Sequence, residues 1–309
     1  IGSNFIKHML DKYDYKIYNI DKLTYAAYLP TSEINHENYQ FIHSDVNNRQ
    51  TLSDVFNEIK PRALVHFAAE THVDRSIANA DNFVSTNING THSVLEESLR
   101  YWSGYAISNA PEFRLINIST DEVYGSLAIG EDSFSEDSPI CPNSPYSASK
   151  ASADLLVRSY VKTYDLPAVT TRCSNNFGPF QNHEKFIPVV INSILNEREI
   201  PIYGDGKQIR DWLFVEDHVS AIMHLVDVAK PGSLFNIGGG IELENIVVAK
   251  FICKRLGDKL GVKHNRLESL LTQVKDRPAH DFRYSINCNK IFKEHAWRAS
   301  HSFEESMEK

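Results

Sequence analysis

The residues that could do chemistry are concentrated in two short stretches of this 309-residue chain. The first is 115–125, Leu-Ile-Asn-Ile-Ser-Thr-Asp-Glu-Val-Tyr-Gly. An apolar run ends in Ser119 and Thr120, followed by two adjacent acids, Asp121 and Glu122. Paired carboxyls can divide into an acid and a base when their surroundings push the two pKa values apart. An acid and a base together suit elimination of water. Ser119-x-x-Glu122 also has the form of a capping box for a short helix.

The second stretch is Tyr146-Ser-Ala-Ser-Lys150. Positions four apart share a helix face. An ammonium beside a phenol lowers the phenol's pKa, which makes the tyrosine a usable base near neutral pH. Spacing alone carries little, because Tyr18-x-x-x-Lys22 and Tyr203-x-x-x-Lys207 share it. Only residues 146–150 open a helix that follows a strand ending in Ser-Thr. A phenolate beside an alcohol carbon is the arrangement for hydride removal by a nicotinamide, in which the cofactor carries the redox step and the protein supplies base and geometry.

The elements that must position these groups alternate. Strands are expected at 14–20, 40–43, 63–69, 115–119 and 169–174, and helices at 51–59, 81–100 and 146–164. In the last of these helices Ala148, Ala151, Leu155 and Leu156 form the apolar side. The alternation predicts an α/β, Rossmann-like, doubly wound parallel sheet covered on both faces. Ligands of such a sheet sit outside the carboxyl ends of its strands. That places Thr120, Asp121, Glu122 and the polar run 70–76 at one edge. Beyond residue 180 the pattern loosens into helices at 186–195, 217–228 and 245–256 and strands at 200–203 and 234–237. The expected division is a dinucleotide-binding domain at 1–180, with returning segments near 212–240, and a smaller mixed α/β substrate domain at 181–309.

Composition narrows the class. Hydrophobic residues make up 42% and charged residues 23%, as in a globular chain with a real core. A net charge of −8 argues against a nucleic-acid or anionic-membrane surface. There is no run long and apolar enough for a membrane span. Cys141, Cys173, Cys253 and Cys288 lie far apart, as reduced cytoplasmic thiols do, and the 13 histidines show no helical metal pair. We therefore expect no metal. Asp21 closes the 14–20 strand 19 residues after Gly2, near the spacing at which an acid binds the adenosine ribose of a dinucleotide.

The two chemical stretches, with further motifs, resemble the extended short-chain dehydrogenase/reductases, and among them the 4,6-dehydratases of dTDP-glucose. The other matching motifs are Asp21-Lys-Leu-Thr-Tyr25, His66-Phe-Ala-Ala-Glu-Thr-His-Val-Asp-Arg75, Thr86-Asn-Ile-Asn-Gly-Thr91, Thr171-Arg-Cys-Ser-Asn-Asn-Phe-Gly-Pro179, Glu184-Lys-Phe-Ile-Pro188, Tyr203-Gly-Asp-Gly206, Gln208-Ile-Arg-Asp-Trp212 and Asp276-Arg-Pro-Ala-His280. The resemblance spans essentially the whole chain. It implies oxidation at C4 with Tyr146 taking the O4 proton and Thr120 bonding the C4 oxygen. Glu122 then removes the C5 proton, Asp121 protonates the departing C6 hydroxyl, and hydride returns to C6. It implies NAD held by Gly2, Asp21, Lys22, Thr24, Asp45, Val46, Ala68, Ala69, Thr86, Tyr146, Lys150 and Asn176. The nucleotide sugar, dTDP-glucose, falls to Thr71, Thr120, Asn175, Lys185, Phe186, Tyr203, Arg210, Asn236, Arg277 and His280. It further implies a homodimer paired through the helices near 81–100 and 146–164.

There are departures from the family pattern. Of its G-x-x-G-x-x-G phosphate turn only the last glycine is matched, by Gly2. The first strand and the rest of that turn are therefore expected to be missing from the chain as given, and its end also looks short. Thr71 stands where serine is usual and Ala279 where glycine is usual. The rival readings are another nucleotide-sugar dehydratase, epimerase or decarboxylase of this fold, and a non-catalytic nucleotide-binding module.

Overall fold

Apolar runs become parallel strands here because helices cover both of their faces. A computed structural model describes residues 1–309, the side chain of Leu29 excepted. Helix α1 (Gly2–Lys12) leads to β1 (Ile17–Asp21) and β2 (Tyr39–His43), which pair in parallel. Helix α2 (Arg49–Ile59), β3 (Ala63–His66) and a short α3 (Val73–Ala78) follow. Next, α4 (Asp81–Phe83) runs through a π-helical stretch, Val84–Gly90, into α5 (Thr91–Tyr101). A second π-helical stretch, Trp102–Ala106, leads into α6 (Ile107–Asn109). Then come β4 (Arg114–Thr120), α7 (Pro145–Tyr164) and β5 (Ala168–Cys173).

The central sheet has the order β3-β4-β5-β9, all parallel, with β9 at Leu234–Ile237. Alternation along β4 shows how it is covered. Leu115 packs with Leu52, Val94, Leu95 and Val157 of α2, α5 and α7. Ile116 and Ile118 pack on the other side with Phe5 and Met9 of α1 and with Val219 and Ile222 of α9 (Val215–Val228). Side chains of period two on a strand covered twice account for this arrangement. The β1–β2 pair is not hydrogen-bonded to β3. A cleft of about 1010 Å³ runs between them, past the carboxyl ends of the strands.

The rest of the chain builds a second core. A three-stranded sheet has the order β10-β8-β6, from β6 (Asn175–Phe177), β8 (Ile209–Phe214) and β10 (Glu242–Glu244). Strand β7 (Ile200–Tyr203) pairs in parallel with β11 (Leu271–Val274). Helices α8 (Phe186–Leu195) and α10 (Asn245–Leu260) supply Ile187, Val190, Val248 and Ile252 against Trp212 and Phe214. The chain closes through α11 (His264–Glu268), α12 (Asn289–His295) and α13 (Phe303–Glu308). Among the described residues no helix is long and apolar enough to cross a membrane.

Two expectations need correction. The short helix after β4 is real, a 3-10 turn at Asp121–Tyr124, but Thr120 caps it and not Ser119. It stops at Gly125, whose φ is 90°, and a Cβ there would come within 2.4 Å of the Cys141 carbonyl oxygen. In α7 the expected apolar side is only half buried: Ala151 is buried and Leu156 packs on the core. Ala148 and Leu155 are exposed, whereas Tyr146, Ser147, Ser149, Lys150 and Asp154 are buried. These polar groups are buried beside Ala151, Ala153 and Val157 because that face meets the end of β4, where Lys150 bonds the Ile118 carbonyl.

Candidate active site

The two chemical stretches converge. Strand β4 delivers Thr120 to the sheet edge, and the 3-10 turn stacks Asp121 and Glu122 directly after it. Thr120 Oγ1 accepts the Glu122 N–H at 3.3 Å and donates to Asp121 Oδ1 at 3.3 Å. Helix α7 begins with Ser144 in a capping box with Ser147 and with Pro145 in the first turn, a start that fixes the direction of entry. Tyr146 in that first turn donates its N–H to Ser76 Oγ at 3.2 Å. Thr120, Asp121, Glu122, Tyr146 and Lys150 all line the cleft.

Electrostatics separate the two acids. Burial, then the neighbouring Glu122 and Asp211 charges, push the Asp121 carboxyl well above the ordinary range. Burial also raises Glu122, but Arg277, Arg210 and Lys185 pull it back. Asp121 is thus the stronger candidate for a protonated acid and Glu122 for the carboxylate. Asp121 Oδ2 and Asn175 Oδ1 are buried with no hydrogen-bond partner among the described residues, and both residues line the cleft. Orphaned acceptors at a cleft wall are what a donor-bearing ligand would satisfy.

The phenol behaves otherwise than expected. Lys150 on the same helix face predicts a lowered Tyr146 pKa. Instead burial, and then the Glu122 charge, push the phenol well above its ordinary value, against a hydrogen bond with Thr120. The Lys150 ammonium donates to the Ile118 carbonyl at 2.7 Å and is itself lowered by burial.

Of the residues implied for a dinucleotide, Gly2, Asp21, Lys22, Thr24, Val46, Ala68, Ala69, Thr86 and Asn176 line the same cleft. Asp45 joins them through Lys22, whose ammonium lies 3.3 Å from Asp45 and donates to Thr86 Oγ1 at 3.0 Å. Asn176 is fixed on both sides, donating to the Ser174 carbonyl at 2.9 Å and meeting His218 Nδ1 at 2.8 Å. An acid at the end of β1, a helix N-terminus at Gly2 and small side chains at 68–69 fit a dinucleotide.

Thr71, Asn175, Lys185 and Phe186 line the cleft too. The Lys185 ammonium donates to the Thr71 carbonyl at 2.7 Å. Arg210 is buried on β8, its guanidinium donating to the Ile209 and Asp281 carbonyls at 2.7 and 2.9 Å. Tyr203, Arg277 and His280 gather farther out. Tyr203 Oη donates to Asp74 at 3.1 Å, Arg277 lies 3.7 Å from Asp74, and the Tyr203 and His280 rings meet edge to face at 6.1 Å. Ala279 stands at φ 50°, the left-handed region that accounts for glycine in the resembled pattern.

Asn236, like Tyr203, Arg210, Arg277 and His280, lies outside the cleft lining. It is fully buried, accepts the Tyr124 hydroxyl at 2.8 Å and donates to the Phe134 carbonyl at 3.1 Å. Its amide braces the wall behind the 3-10 turn and does not line the cleft. Conversely, Asn87, which enters the sequence pattern only as part of the Thr86–Thr91 motif, has a role that the motif does not announce. This buried amide accepts the Glu70 N–H at 2.8 Å and donates to the Glu70 carbonyl and to Ser149 Oγ at 3.0 and 2.8 Å. It ties the end of β3 to α7. The available signal was a run of small polar residues, 86–91, inside a helix, where the backbone is π-helical, a local form frequent at functional sites.

Buried histidines near the site give a pH prediction. Burial, helped by the Lys150 charge, lowers His66 to about 3, and burial lowers His218 to about 3. Unfolding restores an ordinary imidazole, so the unfolded chain binds more protons. Their contribution is intact above the unfolded pKa and is lost as pH falls toward 3. Between pH 7 and 5 each histidine is expected to cost about 2 kcal/mol. Asp121 and Asp211, both raised by burial, act oppositely, so the term is read as a difference. The unfolding free energy of the parent should drop about 2 kcal/mol more over that interval than that of His66→Gln. Equal drops in urea titrations would contradict the assignment.

Comparison with known proteins shows the family of the chain. The family model described as GDP-mannose 4,6 dehydratase matches residues 1–309. The chain is 44% identical over 312 residues to the dTDP-glucose 4,6-dehydratase of Haemophilus influenzae, covering 99% of this chain and 92% of that one. The dTDP-glucose 4,6-dehydratase of Streptomyces venezuelae, solved with NAD and TYD bound, superposes with a TM-score of 0.88 at 36% identity, over 99% of this chain and 91% of the other. That of Bacillus anthracis, solved with NAD, gives 0.85 at 40% identity over 99% and 90%. With its fold, its Thr-Asp-Glu turn and its Tyr-Lys helix in one cleft, the chain belongs to the GDP-mannose 4,6 dehydratase family, within the extended short-chain dehydrogenase/reductases.

Proposed function

We propose that the protein is an NAD-dependent nucleotide-sugar hydro-lyase that converts dTDP-glucose to dTDP-4-keto-6-deoxy-glucose. The observation that carries this reading is the stacking of Thr120, Asp121 and Glu122 beside Tyr146, with Asp121 pushed higher than Glu122 by its surroundings. When bound, NAD would supply the hydride acceptor for C4, the donor for C6, and a positive charge that with Lys150 offsets the burial of the Tyr146 phenol.

The chain's own groups then divide the proton work. Tyr146 takes the O4 proton, and the Thr120 hydroxyl bonds the C4 oxygen as it becomes a ketone. That ketone acidifies C5, from which Glu122 removes the proton. Asp121, neutral because it is buried beside Glu122, gives its proton to the C6 hydroxyl as it departs. Lys185, Arg210 and Arg277 supply the cations for a diphosphate, and the Tyr203 ring a stacking face for the base. Thr71, Asn175, Phe186 and His280 complete the sugar-nucleotide side. In this reading the first core carries the cofactor and the second the substrate. The exposed Val84 and Leu155 suit pairing of two copies through α4–α5 and α7. We also take the enzyme to be cytoplasmic, with its product feeding deoxysugar synthesis such as that of rhamnose.

The test is substrate choice. With NAD⁺ present, dTDP-glucose should lose one water without accumulating reduced cofactor, and UDP-glucose should react at least about a hundredfold more slowly. Preferential conversion of UDP-glucose would keep the reaction class and overturn the base assignment. No conversion of either would leave a nucleotide-binding module.

A further inference from the structure

Residues 22–28 leave β1 abruptly. Leu23 adopts φ 52°, and its N–H is held by Asp21 Oδ1 at 2.7 Å. The segment then lines the cleft together with residues 178–182, 184 and 185, and its side chains meet theirs. It is fastened there at two points. The Tyr28 and Phe180 rings meet at 4.6 Å, and Phe180 is itself held at φ 63°. The Tyr25 hydroxyl donates to Glu184 at 3.3 Å, and the Arg75 guanidinium lies 3.9 Å from the centre of the Tyr25 ring. Arg75 Nε also donates to Glu184 at 3.2 Å. Tyr25 and Arg75 are exposed, whereas the Glu184 side chain is largely buried. Three elements otherwise far apart in sequence thus share one carboxylate.

Neither Tyr25 nor Arg75 has a part in the chemistry described above, and the fold does not need them for its core. Their contacts do one thing: they tie one lip of the cleft to the other. Glu184 immediately precedes Lys185, whose charge acts on Glu122. The fastening therefore sits where the dinucleotide side of the cleft meets its substrate side.

We infer that residues 22–28 form a strap over the bound dinucleotide, clasped by Tyr25 and Arg75 on Glu184, and that this clasp sets how fast NAD leaves. The inference rests on the proposal that the cleft takes NAD. Tyr25→Ala and Arg75→Ala should each release NAD about tenfold faster, the effect expected of one cation–π and hydrogen-bonded ion-pair contact. Turnover at saturating NAD should be unchanged. The double variant should be little worse than either single, because both changes open the same clasp. Tyr25→Phe keeps the ring beneath Arg75 and should lie between parent and Tyr25→Ala.

Two readouts separate the possibilities: release of radiolabelled NAD from the loaded protein, and amide hydrogen exchange of residues 22–28 in the NAD-free protein. Faster exchange of that segment with faster release supports the strap. Faster exchange with parental release overturns its role in retention, and parental values of both overturn the clasp. A parent protein that retains no NAD would overturn the cofactor reading and the strap with it. The first three outcomes leave that reading standing.

Discussion

Glu122→Gln should lower product formation about a thousandfold, the scale of a lost general base, while hydrogen transfer from C4 survives. The argument rests on the asymmetry between two adjacent acids. Burial raises both. Glu122 is opposed by three cations, Arg277, Arg210 and Lys185, with Asp281 adding to the rise. Asp121 is opposed by Arg210 and the Thr120 hydrogen bond but carries the added charges of both Glu122 and Asp211. The carboxylate form is therefore favoured at Glu122 and the acid form at Asp121. In heavy water the parent should incorporate deuterium at C5, Glu122→Gln should not, and Asp121→Asn should incorporate it while losing water slowly. Parental C5 exchange in Glu122→Gln would move the base elsewhere. The pH profile follows with its sign. Activity should fall on the acid side as Glu122 takes a proton, at a pH above the usual carboxylate range. It should fall on the alkaline side as Asp121 loses its proton.

Removing the Asp154 carboxylate has the largest expected effect on stability. Arg172 Nε donates to Asp154 Oδ2 at 2.9 Å, with side-chain exposures of 5% and 3%. Asn117 Nδ2 donates to the other carboxylate oxygen at 3.1 Å. The guanidinium also lies 4.6 Å from the centre of the Tyr124 ring, and Tyr124 is bonded to Asn236. This network lies directly behind the 3-10 turn that carries Asp121 and Glu122. Asp154→Ala strands a buried cation, so about 3–5 kcal/mol of unfolding free energy should be lost in urea titrations. The double change Asp154→Leu with Arg172→Met removes both charges and should recover most of that loss. A loss below about 1 kcal/mol in Asp154→Ala would show that the pair is solvated and does not brace the site.

The first half of the fold was legible because its strands are buried on both faces and read as unbroken apolar runs. β3, where Ala63-Leu-Val-His66 runs on into Phe67-Ala-Ala69, and Leu115, Ile116 and Ile118 of β4 are the clearest examples. Strand β8 was passed over for the opposite reason. Its buried positions include Arg210 and Asp211, at 4% and 1% exposure, so periodicity sees a polar segment where the chain is deeply inside. Helix α7 misled in the same way. Its buried face carries Tyr146, Lys150 and Asp154 beside Ala151, and its exposed face carries Leu155, so apolar spacing pointed only partly inward. The site itself was readable where residue type and position agree, as at Asp121 and Glu122 after a buried strand. It was not readable at Asn87, because an amide that braces backbone and an amide that binds a ligand have the same letter in a sequence. Only the partners distinguish them.

The central claim is that the hydrogen taken from C4 returns to C6 of the same sugar after water has left from C5 and C6. The most direct measurement is mass spectrometry and NMR of the product formed from dTDP-glucose deuterated at C4, with NAD⁺ and ordinary water. The account predicts a product lighter by one water that keeps its deuterium, now in the C6 methyl group. A product that has lost the label to solvent, or sugar recovered with all its oxygen and an inverted C4, would contradict it.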